Sequence, residues 1–457
     1  MKLFFNLHPG DSKKSKLYTR LICFVLITVI LFSYGQGLNT YAETSQNTQK
    51  SQDTQKSQDA QKSQDTQKNQ DTQNEQNTQN NENTQSQQNT TETADTVALD
   101  ISSESAVLIE GSTGTIIYEK NKDQKRNPAS ITKIMTLLLI FEALASGKIK
   151  LEDPVSVSEY AASMGGSQVY LEPNETQDVN TMIKCISIAS ANDASVAMAE
   201  YIAGSEESFV NMMNAKAKDL GMNNTNFVNS CGLDVDNHYS TAYDVALMSR
   251  ELITKYPQIS EYSTVWMDTI THTTKKGQSE FGLTNTNKLI KSYNGITGLK
   301  TGSTSLAKYC FSATAKRDGM DMIAVVMAAP ETKVRFREAA KMMDYGFANC
   351  SIYTDENTDL VVTPIPVKKG VADDLNYRVN DKFSYLCLKG TNPAEITKTV
   401  TINESMSAPI KENDKVGEVT YQLGGKTLGK VDIVAAENID EAKFKDYFKA
   451  AFKKLLL

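Results

Sequence analysis

The sequence predicts an α+β fold: one antiparallel sheet built from strands at the two ends of a domain, with a helical insertion between them and a small all-β domain after it. Three observations carry this. Strand-length apolar runs flank turn signals early and late in the central region, the stretch between them has helical spacing, and after about Tyr353 the texture changes to short alternating runs. The 457 residues, 40% of them apolar, suffice for two domains of ordinary size plus non-globular sequence.

In chain order, the first 42 residues read as an export signal. Lys13, Lys14, Lys16 and Arg20 precede an apolar run from Leu21 to Phe32, and Thr40-Tyr41-Ala42 gives a small-x-small cleavage site. The run is shorter than the roughly 20 residues a spanning helix needs, which favours cleavage over an uncleaved anchor. Residues 43–98 contain a polar hexamer repeat, as in Ser51-Gln52-Asp53-Thr54-Gln55-Lys56. With no apolar position it has no face to bury, so a solvated, disordered tether is expected.

The catalytic-size domain is expected over 99–352. Ala106 to Glu110 and Thr115 to Glu119 flank Gly111-Ser112-Thr113-Gly114 as a hairpin. A helix is expected from Ser130 to Ala145, with Pro128 ahead and Gly147 behind. Met182 to Ala189 and Ala194 to Ile202 flank Ser190 with helical spacing. Tyr309 to Ala315 and Met322 to Ala328 are strands joined by the turn Arg317-Asp318-Gly319, and a helix from Lys333 to Phe347 closes the domain. Residues 353–437, with runs such as Leu360-Val361-Val362, Val400-Thr401-Ile402 and Val419-Thr420-Tyr421, are expected to form a small β-sandwich.

Residues 438–457 carry Phe444, Phe448, Ala451, Phe452 and Leu455 on one helical face, ringed by lysines. That pattern suits a helix lying in a membrane interface, and more weakly a helix docked on its own domain.

Composition narrows the chemistry. A net charge of -7 provides no basic field for a phosphate backbone, so nucleic acid is not an expected partner. Beyond the signal, Cys185, Cys231, Cys310, Cys350 and Cys387 are odd in number and widely spread, which argues against a disulfide framework. With no CxxC pair and only His238 and His272 in the mature chain, neither a zinc site nor a further cofactor is expected.

Three short motifs occur in order: Ser130-Ile131-Thr132-Lys133, Ser190-Ala191-Asn192 and Lys300-Thr301-Gly302. SxxK also recurs at Ser305 to Lys308, but in a loop, whereas helical spacing at Ser130 brings Lys133 within reach of the hydroxyl. A serine is a poor nucleophile until a base removes its proton. A lysine serves when burial and neighbouring positive charge, such as Lys300, depress its pKa. Ser190 can relay a proton to the leaving amine, and Asn192 can orient Lys133 and a substrate amide. If Lys300 to Ser303 is an edge strand, the backbone N–H groups of Ser130 and Ser303 form an oxyanion hole.

The motifs, with Asn127-Pro128-Ala129-Ser130, Asn192-Asp193-Ala194, Gly232-Leu233, His238-Tyr239-Ser240-Thr241-Ala242 and Asn285-Thr286-Asn287, resemble the penicillin-recognising serine enzymes. The resemblance is to low-molecular-mass penicillin-binding proteins that act as D-alanyl-D-alanine carboxypeptidases, and it covers about Leu99 to the C-terminus. It implies a β-lactamase/transpeptidase-like fold, an exported enzyme acting on peptidoglycan stem peptides, and β-lactams as covalent inhibitors. It further implies Ser130 as acyl-ester nucleophile, Lys133 as general base, and Ser190 with Asn192 as second catalytic element. Lys300, Thr301, Gly302, Ser303 and Thr304 would line the substrate, and Arg337 would lie near its terminal carboxylate. A class A β-lactamase shares the motif order, but it places a deacylating glutamate roughly 35 to 40 residues after the second motif. Here Phe227-Val228-Asn229-Ser230-Cys231 holds that stretch. A sensor that acylates without turnover is the reading from another class, distinguished by D-alanine release.

Overall fold

The computed structural model describes residues 99–357 and 363–455; of residues 450–455 only the backbone is used. The expected signal, the expected tether and the run Leu360-Val361-Val362 lie outside the described residues.

The body of the catalytic-size domain is a five-stranded sheet. Its strands are β1 (Ser105–Glu110), β2 (Ile116–Lys120), β3 (Ile296–Thr304), β4 (Lys308–Arg317) and β5 (Met320–Ala329). The order is β2-β1-β5-β4-β3 with every neighbouring pair antiparallel, so the two ends of the domain meet where β1 pairs with β5. The period-two rule then sorts the strands. Val107, Ile109, Ile323, Val325 and Met327 enter the core shared with the helical insertion. Ala106, Leu108, Met322, Ala324 and Val326 enter the opposite core under the helix Thr332–Asn349. Both faces are covered, which is why β1 and β5 read as continuous apolar runs. Leu108 is fully buried, and truncating it to Ala would cost about 2–5 kcal/mol. The turn between β4 and β5 has Asp318 and Gly319 at positive φ, the mirror-turn geometry that suits a two-residue hairpin.

Three helices of the insertion position the site: α1 (Lys133–Ala145), α2 (Asn192–Ala203) and α3 (Ala242–Lys255). α1 is apolar on nearly every side, as a helix through the middle of a core must be, and it ends at Gly147 with φ +71. The helix expected from Ser130 begins three residues later, because Ala129–Thr132 form a 3-10 turn. The tightening has a steric reason. The backbone of Gly302 on β3 lies so close that a Cβ there would sit 2.8 Å from the Ser130 nitrogen, which a tighter, narrower first turn accommodates. Ahead of α2, the helix Val179–Lys184 widens into a π turn over Cys185–Ala189 and stops at Ser190, whose φ is +63. The helix closing the domain, α4 (Thr332–Asn349), lies under the sheet.

Between the two expected domains, strand β6 (Cys350–Asp355) follows α4 directly and pairs with Phe383–Leu388. Cys350, Ile352 and Leu386 also pack on the core beneath the sheet, so no polar linker marks the seam. Beyond it, three small sheets surround an apolar core that includes Leu375, Val416, Val419, Tyr421 and Ile433. The last helix, α5, spans Phe444–Leu455 and leaves Phe444 (86%) and Phe448 (65%) largely exposed. Among the described residues no helix is long and apolar enough to cross a membrane.

Candidate active site

Ser130 sits in the 3-10 turn, half-buried, and its side chain caps no helix. One turn on, Lys133 is fully buried at the start of α1, and its Nζ lies 3.3 Å from the Ser130 Oγ. The amine also donates to the Asn192 Oδ1 and to the Cys231 carbonyl, both at 2.6 Å. Burial pushes it down to about 8, against the opposing pull of the Cys231 and Asp193 charges. An amine so placed is neutral in a useful fraction of molecules and hydrogen-bonded to the hydroxyl it would deprotonate.

Each partner is delivered by a local device. Asn192 opens α2, and its Nδ2 donates to the Gly165 carbonyl (2.6 Å), which fixes which way its amide faces. The Cys231 carbonyl comes from a loop organised by Asn229, whose Oδ1 accepts from the N–H groups of Cys231, Gly232 and Leu233. Gly232 has φ +87, and a Cβ there would fall 2.0 Å from the Ala129 carbonyl oxygen, so only glycine lets this loop lie against the serine turn. The stretch Phe227–Cys231 thus supplies a carbonyl for Lys133 and contains no carboxylate.

β3 is the edge strand of the sheet and runs alongside the serine turn. Lys300 is 1% exposed. Burial first, then the Lys133 and Arg335 charges, holds its amine well below the usual lysine range. The Thr301 hydroxyl donates to Thr286 (2.6 Å) and Ser303 is exposed at the edge. Thr304, expected to hold substrate, has its hydroxyl donating to Asp234 (2.9 Å) and accepting from the Ala307 N–H (3.0 Å). The second SxxK is split apart: Ser305 lies in the turn after β3, and Lys308 pairs with Glu104. Ser190 has a buried hydroxyl with no hydrogen-bond partner among the described residues.

Arg337, expected near the substrate's carboxylate, is exposed, whereas Arg335 lies buried on the inner stripe of α4 with Glu338, Ala339 and Met342. Positions two apart on a helix point to nearly opposite sides. Arg335 donates through Nη1 to the Gly302 carbonyl (2.9 Å), and its buried Nε has no partner among the described residues. A cavity of about 540 Å³ is lined by Ser303, Thr304, Ser305, Lys308, Tyr309 and Pro330, and the Tyr309 ring lies 5.6 Å from the Arg335 guanidinium. Neither histidine belongs to a triad. His238 accepts from the Val228 N–H at Nδ1, so its Nε2 carries the hydrogen and faces Thr132 (2.9 Å). Burial pushes it down to about 4, while His272 pairs with Glu175. The structure thus brings together Ser130, Lys133, Asn192, Lys300 and Gly302. Sequence reasoning missed the Cys231 carbonyl, Asn229 and Arg335; only the last had a signal, its place on the apolar stripe.

A hydroxyl beside a buried amine lies against an edge strand carrying a second buried amine, on a sheet-and-helix body. The comparisons place that body. The family described as D-alanyl-D-alanine carboxypeptidase matches residues 87–331, and the C-terminal domain of penicillin-binding protein 5 matches 356–441. The chain is 44% identical over 354 residues to the D-alanyl-D-alanine carboxypeptidase DacF of Bacillus subtilis, covering 78% of this chain and 90% of the relative. It is 33% identical over 356 residues to DacC of Escherichia coli, covering 76% and 86%. The crystal structure of penicillin-binding protein 5 from Haemophilus influenzae superposes with a TM-score of 0.64 at 29% identity, over 75% of this chain and 99% of that one. The chain belongs to the D-alanyl-D-alanine carboxypeptidase family.

Proposed function

We propose that the chain removes the terminal D-alanine from peptidoglycan stem pentapeptides through an acyl-enzyme on Ser130, and that penicillins acylate the same oxygen. The observation that carries this is the contact of the Lys133 amine, fully buried and depressed, with the Ser130 hydroxyl.

Lys133 takes the hydroxyl proton as Ser130 Oγ attacks the carbonyl between the two D-alanines. The backbone N–H groups of Ser130 and Ser303 receive the oxyanion. Collapse breaks the C–N bond, the departing amine takes a proton through Ser190 or Lys133, and water then cleaves the ester. Lys300, Thr301 and Gly302 line the substrate. Arg335, whose guanidinium lies over the ring of the cavity-lining Tyr309, takes the place assigned to Arg337 as partner of the terminal carboxylate. In a β-lactam the leaving amine stays tethered to the acyl group, so the ester persists.

The apolar leader supports export, and the exposed aromatic face of α5 supports attachment at the outer face of the cytoplasmic membrane, with the polar repeat as a spacer. A chain stopped before Glu441 would then stay active and leave membranes.

The test of the reaction is mass spectrometry of the penicillin-treated protein together with D-alanine release from a pentapeptide. The expected result is one adduct, on Ser130, and catalytic release. An adduct elsewhere, or stoichiometric acylation without release, overturns the carboxypeptidase reading.

A further inference from the structure

Asn192 holds Lys133, and Asn192 is itself held by a segment whose nearest residues are exposed. Gly165, Gly166 and Ser167 are exposed and lie outside any helix or strand. Yet the Gly165 carbonyl accepts from the Asn192 side chain and the Ser167 carbonyl accepts from the Asn192 backbone N–H at 2.7 Å. Gly166, at φ +81, approaches so closely that a Cβ would be 2.9 Å from the Asn192 Nδ2. Further along, Val169 and Leu171 are buried in the core, and their N–H groups meet the next residue of α2.

We propose that Asp193 is a positioning residue for the reaction: its buried carboxylate pins the 165–171 segment to the first turn of α2 and so fixes the Asn192 amide that holds Lys133. The side chain is fully buried and makes no ion pair among the described residues. Oδ2 accepts from the N–H groups of Val169 and Leu171, each at 3.1 Å, and Oδ1 accepts from Ala194 at 3.0 Å. Both oxygens face donors, so the site is matched to an acceptor-only, ionised carboxylate. Position 193 also lies at the start of a twelve-residue helix, where a negative charge is favoured. An anion this deep would be costly for loop architecture alone; here it is also the one carboxylate acting directly on the Lys133 amine. The other groups facing that amine are Lys300 from β3 and Cys231 from the Asn229 loop, with Arg335 and Glu206 acting one step further out on Lys300 and Cys231.

Asp193→Asn separates positioning from mere packing. The volume is kept, but an NH2 group now replaces one oxygen: in the Oδ2 place it faces the Val169 and Leu171 N–H groups, in the Oδ1 place those of Ala194 and, at 3.3 Å, Val169, and in either case the acceptors lose their charge. Removing the negative charge also removes a cause that holds the Lys133 amine up, so the amine should deprotonate at lower pH. The inference rests on the acyl-transfer reading above.

The experiment is the rate of acylation by a fluorescent penicillin between pH 6 and 10, with full-length wild type and Asp193→Asn. The expected result is a rate at least about tenfold lower, with its acidic limb moved to lower pH. An unchanged rate, or a slower rate with the limb unmoved, overturns the proposal. If wild type itself takes no label, the acyl-transfer reading fails and this inference falls with it. Labelled wild type beside an unaffected variant sinks the inference alone. Should the variant not fold, hydrogen exchange in wild type decides: the Val169 and Leu171 amides should be the protected ones of the segment, and exchange at the free-amide rate overturns the clamp.

Discussion

The two domains treat charge in opposite ways. In the first, Lys133, Lys300, Asp193 and Arg335 are all buried, and they act on one another through a centre with few acidic groups. In the second, Lys415, Lys430, Glu418 and Asp432 form a lattice on the outer face of a sheet, and the core is apolar apart from the Tyr421 hydroxyl and its partners. Buried charge costs free energy unless something compensates it, so a fold retains it where a reaction needs it. The backbone agrees: the first domain brings Gly232 and Gly302 against the serine turn and holds Ala129 and Ser190 at positive φ, beside the same few side chains. The contrast teaches that the first domain's stability is spent at the site while the second is built to persist.

The sharpest way to break this comparison is to remove the buried amine. Lys133→Ala should lower the acylation rate at least about a thousandfold while the protein stays folded. Stopped-flow labelling with a fluorescent penicillin measures it, and a rate near wild type would remove lysine as the base. The next largest effect is pH. An amine with its pKa near 8 is protonated below that value, so acylation should fall about tenfold per pH unit on the acid side and level off above pH 8. A lysine in water would still be protonated there, so a limb centred near pH 10 would mean that burial does not tune it. Third, Arg335→Leu should cost about tenfold to a hundredfold in kcat/KM for a peptide ending in a free carboxylate, and Arg337→Leu less than twofold. Equal effects would dissolve the distinction between the buried and the exposed arginine.

How far the sequence leads depends on whether a feature is local. The cluster of Ser130, Lys133, Asn192 and Lys300 is legible because short spacing within a turn or strand carries them, and the sheet closed by both domain ends is legible from the two sets of apolar runs. The Cys231 carbonyl was not, because a main-chain oxygen has no residue signature. Only the contact between Gly232 and the Ala129 carbonyl, about a hundred residues apart in sequence, makes it a ligand for Lys133. The resemblance points to Arg337, whereas the buried stripe of α4 runs through 335, 339 and 342. The 3-10 turn at Ser130 was hidden for the same reason as Cys231: it answers to β3, which arrives much later in the chain.

In the second domain the effects should be smaller and confined to stability. Tyr421 is fully buried, stacks on Phe383 at 3.8 Å, and has its one hydroxyl proton within reach of the Asn357 (2.7 Å) and Asp355 (3.0 Å) side-chain oxygens. Tyr421→Phe keeps the ring and leaves the buried Asn357 oxygen short of a donor, a loss of about 1–2 kcal/mol by denaturant unfolding with acylation unchanged. A parallel loss of acylation would mean that the domains are coupled at the site.

The smallest expected effect makes the comparison quantitative. Lys430 pairs with Glu418 on the surface lattice, where both side chains are solvated and Lys415 also reaches Glu418. Such a pair gains little Coulomb energy in water and loses side-chain entropy to hold its geometry, so Lys430→Ala should leave both the unfolding midpoint and the acylation rate within experimental error. Lys430 and Lys133 carry the same functional group, so the difference between their alanine variants isolates what burial does to an amine. If Lys430→Ala lowered the midpoint as much as Tyr421→Phe, the surface lattice would be a structural element of that domain, and the division between a strained, charged interior and a neutral, durable one would not hold.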